Sequence, residues 1–267
     1  MTALERRPLG QTGLEVSCLG LGTVKIGRNQ GVKYPNGFEL PDDSSVSSLL
    51  VQAETLGINL LDTAPAYGSS EERLGKLLRD RERWIICSKV GEEFHNGKST
   101  FEFSASHVRS SVERSLRRLN TEWLDIVLVH SDGNDLAIIE ESDCLEELQK
   151  LKDRGLINSY GMSTKTVEGG LQAVQQTDVV MVTYNPLAQD DTAVIDKAAA
   201  LGKGVLIKKG LLSGHLDSLA EKAVDPIEKS LRFIFEKQGI SSVIIGTINP
   251  RHLSQNVQSA IKVMSES

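Results

Sequence analysis

The stretch INLLDTAPAYGSSEERLGKLL (58–78) reads as an apolar strand, a turn and the start of a helix. INLLDTA (58–64) is nearly continuous in hydrophobicity, as a strand buried on both faces should be, and it carries Asp62 near its end. Tyr67 follows in the turn. The same unit recurs in both directions along the chain. Upstream lies VSCLGLG (16–22); downstream lie WIICSKV (84–90), LDIVLVH (124–130), INSYGMS (157–163), VVMVTYN (179–185), GVLIKKG (204–210) and SSVIIGT (241–247).

Helical segments separate these runs. Val108, Val112, Leu116 and Leu119 fall on one face of a helix over 104–119. A helix over 44–56 follows Asp42 and Asp43 as caps and stops at Gly57, and one over 143–154 stops at Gly155. Pro226 and Pro250 suit the first turns of helices over 226–238 and 250–263. Eight strands alternating with helices in 267 residues predict an α/β fold, a (β/α)8 TIM barrel forming a single domain over 1–267. A short N-terminal β-hairpin from ERRPLGQTGLEV (5–16) precedes it, with Gly10 and Gly13 in the turn. A doubly wound open sheet is the alternative, because alternation alone does not establish closure. Two long connections, 23–42 and 91–105, follow strands and so overhang the face where barrels carry their sites.

Bulk properties narrow the function. With 39% hydrophobic and 25% charged residues the chain can bury a sizeable core. A net charge of −6 argues against a general nucleic-acid binder, and no apolar run is long enough to span a membrane. The polar start MTALERRPLGQTG lacks the apolar stretch of a secretory signal. Cys18, Cys87 and Cys144 are scattered and odd in number, which fits buried free thiols in a reducing cytoplasm. No cluster has metal-site spacing. The sequence carries no signal of oligomeric state.

A parallel barrel gathers Asp62, Tyr67, Lys89 and His130 onto one rim. Each has a plain structural role available: Asp62 as a turn cap, Lys89 as a strand end, His130 as a rim histidine, Tyr67 as packing over a helix start. Together they can donate a proton to a carbonyl. An ammonium beside an apolar strand needs a partner, and Asp62 on the neighbouring strand is the natural one. Lys89 would in turn favour the phenolate; bringing Tyr67 down by about two pH units, about 2.7 kcal/mol, would make it a working general acid. His130 would orient the carbonyl oxygen as a neutral donor.

The chain resembles the aldo-keto reductase family through RRPLGQTGLEVSCLGLGT, LLDTAPAYGSSEERLGKLL, IICSKVG, LDIVLVHSDG, GLINSYGMS, VTYNPL and GTINPRHLSQNV, all in family order from residue 6 to 257. DTAPAYGSSEE is the most specific of these. The resemblance implies a (β/α)8 barrel, reduction of aldehydes and ketones with a nicotinamide cofactor, and Asp62, Tyr67, Lys89 and His130 as the catalytic tetrad. It places Ser163 and Thr164 at the carboxamide, although the family commonly has asparagine at the second position and glutamine where Met181 stands. Lys208 replaces an aromatic that commonly stacks on the nicotinamide.

In GLLSGHL (210–216), Gly210, Leu212, Ser213 and Gly214 would wrap the pyrophosphate with backbone amides. Asn249, Arg251 and His252 at the last helix start would surround a 2′-phosphate, with Gln255 and Asn256 at the adenine. NADPH is favoured over NADH, even though Gly246 and His252 replace a lysine and an arginine common in NADPH-dependent members. The chain ends eleven residues after Asn256, so no long C-terminal loop is expected over the mouth, which Lys25, Tyr34, Phe94 and Phe101 would border.

Two motifs mislead. LGLGT (19–23) lacks the third glycine of a dinucleotide fingerprint, and GEEFHNGKST (91–100) has its first glycine one residue too far for a phosphate loop. Two rivals to the reductase are a redox-sensing regulatory protein on the same barrel and a lyase or isomerase using Lys89 as a Schiff-base amine.

Overall fold

The computed structural model describes residues 4–32, 34, 37–215 and 225–266. Its strands are β1 (Arg6–Pro8), β2 (Glu15–Ser17), β3 (Leu19–Gly22), β4 (Leu60–Asp62), β5 (Ile85–Val90), β6 (Glu92–His95), β7 (Lys98–Phe101), β8 (Leu124–His130), β9 (Ile157–Ser163), β10 (Val179–Thr183), β11 (Gly204–Lys208) and β12 (Ser242–Ile245). Strands β3, β4, β5, β8, β9, β10, β11 and β12 form one parallel barrel. Its seam is the pairing of β12 with β3, Val243 opposite Leu19 and Ile245 opposite Leu21. That pairing excludes the open doubly wound sheet.

The helices are α1 (Val24–Gly27), α2 (Asp43–Thr55), α3 (Ser70–Leu77), α4 (Ala105–Leu119), α5 (Asp135–Glu141), α6 (Cys144–Asp153), α7 (Val167–Gln176), α8 (Thr192–Ala200), α9 (Pro226–Phe235) and α10 (Pro250–Ser265). Local chemistry sets their ends. The Asp42 carboxylate accepts from Ser45 N at 2.7 Å to start α2, and Ser104 caps α4. Helix α9 stops at Phe235, three residues short of expectation, and α10 runs two residues further. None of the described helices is long and apolar enough to cross a membrane.

Two apolar layers hold the barrel. Inside, Leu60, Cys87, Ile126, Leu128, Val179, Met181 and Leu206 pack against Leu9 and Val16 of the N-terminal hairpin. The hairpin lies at the start of β11, where Gln11 N donates to Gly202 O, and so plugs the end opposite the strand termini. Outside, side chains such as Ile86, Val127, Val129 and Val180 meet Leu74, Val108, Val112, Leu148 and Val174 from the helices. Each fully buried Leu, Ile or Val contributes about 1.5–3 kcal/mol, so the strands are anchored on both faces. Cys18, Cys87 and Cys144 are buried and unpaired.

The connection 91–105 is not irregular. Strands β6 and β7 form an antiparallel hairpin around Asn96 and Gly97, both with positive φ. A two-residue turn of this hand needs left-handed backbone at both positions, and Asn-Gly supplies it. Lys33, Pro35 and Asn36 of the other long connection, and Leu216 of the glycine-containing segment, lie outside the described residues.

Candidate active site

Asp62 ends β4, Lys89 stands one residue before the end of β5, and His130 ends β8. Tyr67 closes a single helical turn, Pro65–Tyr67, directly after β4. Because the strands are parallel, these ends share one rim, and all four side chains line one cavity of about 1020 Å³.

Lys89 and Asp62 form a buried ion pair, Nζ to Oδ1 at 2.5 Å, with 2% and 5% of the side chains exposed. Lys89 also donates to Thr63 O at 2.9 Å. Burial alone would lower its pKa, but the negative groups around it, Asp62 first, outweigh that and hold it above the ordinary lysine value. The pairing favours the charged ammonium at this position. Its Nζ lies 4.7 Å from the centre of the Tyr67 ring, whose hydroxyl makes a long contact to Asp62 Oδ2 at 3.4 Å. The expected lowering of Tyr67 is not what results. Burial and the Asp62 carboxylate raise its pKa above the ordinary value, and Lys89 only partly counters them. The first reason is burial of the phenol, which disfavours its charged form, and the Asp62 carboxylate adds to it.

His130 meets Tyr67 edge to face, the ring centres 6.3 Å apart. Its Nδ1 lies 2.8 Å from Glu92 Oε2, close enough for an ion pair though without a well-aligned hydrogen bond. Burial holds the imidazole pKa below the ordinary histidine value, and Glu92 counters this only in part. Burial would raise Glu92, but His130, Ser99 and Arg28 hold it down at about 2. Glu92 was not among the residues singled out by sequence. The signal was present: Asn96-Gly97 between alternating residues marks a hairpin, and its pairing of Glu92 with Phe101 holds Glu92 close to the rim.

Around the cofactor candidates the structure separates two groups. Ser163, Thr164, Lys208, Ser213, Gly214, His252, Gln255 and Asn256 line the same cavity as the tetrad. Gly210, Leu212, Asn249 and Arg251 do not. Gly210 packs against Val243 and Ile234, and its carbonyl accepts from Ser230. Leu212 N and Gly214 N are already bonded to Lys209 O and Leu211 O, so these two amides serve a local turn. Asn249 caps α10, its Oδ1 accepting from Arg251 N and His252 N, so the anion site expected at that helix start is already filled by a side chain. Arg251 is exposed beside it.

Lys208 donates to Ser163 Oγ at 2.9 Å and Thr164 O at 2.6 Å. Burial, aided by Lys209, brings its pKa down to about 7. Thr164 Oγ1 is buried without a partner. An amine, a hydroxyl that can turn and an orphaned hydroxyl match the donor and acceptor needs of a carboxamide. Of the mouth residues, Lys25 and Tyr34 line the cavity, with Lys25 Nζ 3.9 Å from the Tyr34 ring centre. Phe94 lies under the Arg28 guanidinium and Phe101 stacks on Phe103, so neither borders the cavity.

Comparison with known proteins places these observations. The model of the aldo/keto reductase family matches residues 18–223. A crystal structure of PA4992 from Pseudomonas aeruginosa, assigned provisionally to the aldo-keto reductases, is 55% identical. It superposes with a TM-score of 0.87, covering 97% of this chain and 95% of that one. L-galactose dehydrogenase of Arabidopsis thaliana is 28% identical over 99% of this chain and 91% of its own length. The NADH-specific methylglyoxal reductase of Escherichia coli is 27% identical over 95% and 93%.

Proposed function

The chain belongs to the aldo-keto reductase family, and from that premise we propose that it reduces a small aldehyde or ketone to an alcohol, with Tyr67 as the proton donor. The observation that carries this reading is the buried Lys89–Asp62 pair set against the Tyr67 ring at the cavity wall. A carbonyl oxygen placed between Tyr67 and His130 would accept a hydrogen bond from each. As negative charge grows on that oxygen, Tyr67 gives up its proton, and Lys89 stabilises the tyrosinate left behind. Asp62 keeps Lys89 charged and in place throughout. The interior packing of the barrel excludes bulk water from beneath these groups.

A nicotinamide dinucleotide, when bound, supplies the hydride. Ser163, Thr164 and Lys208 would hold its carboxamide, Ser213 its pyrophosphate with Gly214 leaving room beside it, and His252, Gln255 and Asn256 its adenosine. NADPH is the preferred form in this reading: the exposed Arg251 guanidinium has no salt-bridge partner among the described residues and stands next to His252, which lines the cavity, so it would be available to a 2′-phosphate. A relative named as NADH-specific makes that preference the first point to measure. Three buried free thiols suit a cytoplasmic setting.

Titration of the protein with each nucleotide, followed by a panel of small carbonyls monitored through nicotinamide absorbance, tests the reading. Tight nucleotide binding with turnover of at least one carbonyl is expected. Binding without turnover of any would favour a redox-sensing protein instead.

A further inference from the structure

We infer that Glu92 is a positioning residue for the reaction: its carboxylate keeps a proton on His130 Nδ1, so that Nε2 can donate to the carbonyl oxygen only when the imidazole is charged. The inference rests on the reductase reading and adds to it the group that sets the state of the histidine.

The hairpin β6–β7 places Glu92. Gly91 has φ 101 immediately after β5, and a side chain there would collide with the Phe103 ring, 2.4 Å from an added Cβ. The chain therefore reverses at once, and Glu92, the first residue of β6, lands beside the end of β8. Its side chain is only 12% exposed. Ser99, on the returning strand β7, donates to Oε1 at 2.5 Å, and Arg28 Nη1 lies 3.7 Å away. Arg28 is itself fixed, donating to Ala66 O at 3.0 Å and lying 3.4 Å over the Phe94 ring. The carboxylate that faces Nδ1 through Oε2 is held at Oε1 by Ser99, with Arg28 close by.

The consequence follows from counting protons. An ionised carboxylate only accepts, so the nitrogen it faces is the protonated one. A neutral imidazole has a single N–H, which leaves Nε2 as a bare acceptor. His130 Nδ1 is buried while a fifth of the side chain is exposed, so the Nε2 edge is the one open to the cavity. A carbonyl oxygen is also an acceptor, and two acceptors repel. A second proton turns that contact into a charge-assisted hydrogen bond. The groups facing His130 pull in opposite directions. Glu92 favours the imidazolium; burial, Lys89 and Lys208 oppose it, and Arg28 behind Glu92 weakens its hold. The Tyr67 ring, edge-on, is uncharged. Loss of Glu92 leaves only the opposing set.

The test joins a spectrum to a rate profile. Nitrogen-15 shifts of the five histidines, with His130 assigned by its absence in His130→Gln, are followed through a pH titration. In the wild type, neutral His130 should carry its proton on Nδ1, and kcat/KM for reduction should fall as pH rises through its midpoint. Glu92→Gln and Glu92→Ala should both lower that midpoint and move the falling limb of kcat/KM to lower pH by the same amount. Activity at neutral pH should drop on the order of 10–100-fold, as when a carboxylate behind a functional histidine is removed. Glu92→Asp should recover part of the loss. A neutral His130 protonated on Nε2, or a limb that stays in place in both variants, overturns the inference. The shifts are read on the free protein, so failure to find any carbonyl substrate would count against the reductase reading while the Nδ1 assignment still decides this one.

Discussion

The two ends of the cavity differ in how far the protein completes them by itself. At the Tyr67 end, Lys89 is bonded to Asp62 and Thr63 O, and Glu92 to Ser99 with Arg28 close by, while His130 Nδ1 faces Glu92 without a well-aligned hydrogen bond. At the Lys208 end, Thr164 Oγ1 has no partner, and an amine held near neutrality makes do with a hydroxyl and a carbonyl. The backbone differs in the same sense. Lys209, Leu212 and Ser213 all have positive φ, a conformation that costs non-glycine residues roughly 1–3 kcal/mol each. The chemical end is preorganised, which is what stabilising a developing charge requires. The other end holds polar groups and strain that a ligand could satisfy.

The sharpest break in this contrast is Tyr67→Phe. It should reduce kcat for carbonyl reduction on the order of 10³-fold, the scale of a lost general acid, with nucleotide affinity nearly unchanged. Steady-state rates beside fluorescence titration check it; turnover close to wild type would discard Tyr67 as the donor.

Lys89→Met comes next, with activity down on the order of 10²-fold. The burial of the pair implies a structural cost as well. Asp62 would be left charged with its side chain 5% exposed, so stability should fall by about 3–5 kcal/mol in denaturant unfolding. Adding Asp62→Asn should recover much of that stability without recovering activity. Equal stability of the single and double variants would show that the pair is not coupled.

Lys208 gives a smaller effect with a definite sign. Its pKa is about 7 in the folded chain against 10.5 ordinarily. Between those values the unfolded chain binds more protons, so stability from this group rises with pH across the window and is lowest below it. Lys208→Met should therefore raise the melting temperature most at slightly acidic pH, the advantage shrinking as pH approaches 10.5. An advantage independent of pH would mean the amine is not buried uncharged.

Arg251→Ala is the weakest probe, because the residue is exposed. It should weaken NADPH by up to about fivefold, about 1 kcal/mol or less, and leave NADH unchanged. Equal losses for the two nucleotides would remove the phosphate contact from the reading.

The preorganised end was also the more legible one. Asp62 and His130 close apolar strands and Lys89 stands one residue before the end of another, and strand periodicity is a local signal that survives into the fold. LDIVLVH and INSYGMS become β8 and β9 without a change of boundary. The nucleotide end was read less well because its residues lie on connections, where capping and turn bonds compete for the same groups. Asn249 looked like a ligand and serves as a helix cap; Gly210 looked like a cradle and packs against Val243. Glu92 is hard to read from sequence for the same reason: it lies on the connection 91–105, and only the Asn96-Gly97 turn marks the hairpin there.

Sequence by itself determined the alternation of strands and helices, the helix caps and the residue types that a parallel barrel would gather on its rim. These depend on backbone propensity and on hydrophobic period, which neighbours in the chain set together. Tertiary structure alone decided that β12 closes on β3, that Tyr67 is buried beside the Lys89–Asp62 pair so that its pKa rises and does not fall, and that Glu92 meets His130. Charge effects vary with distance and burial, and both are properties of residues far apart in sequence brought together by the packed barrel.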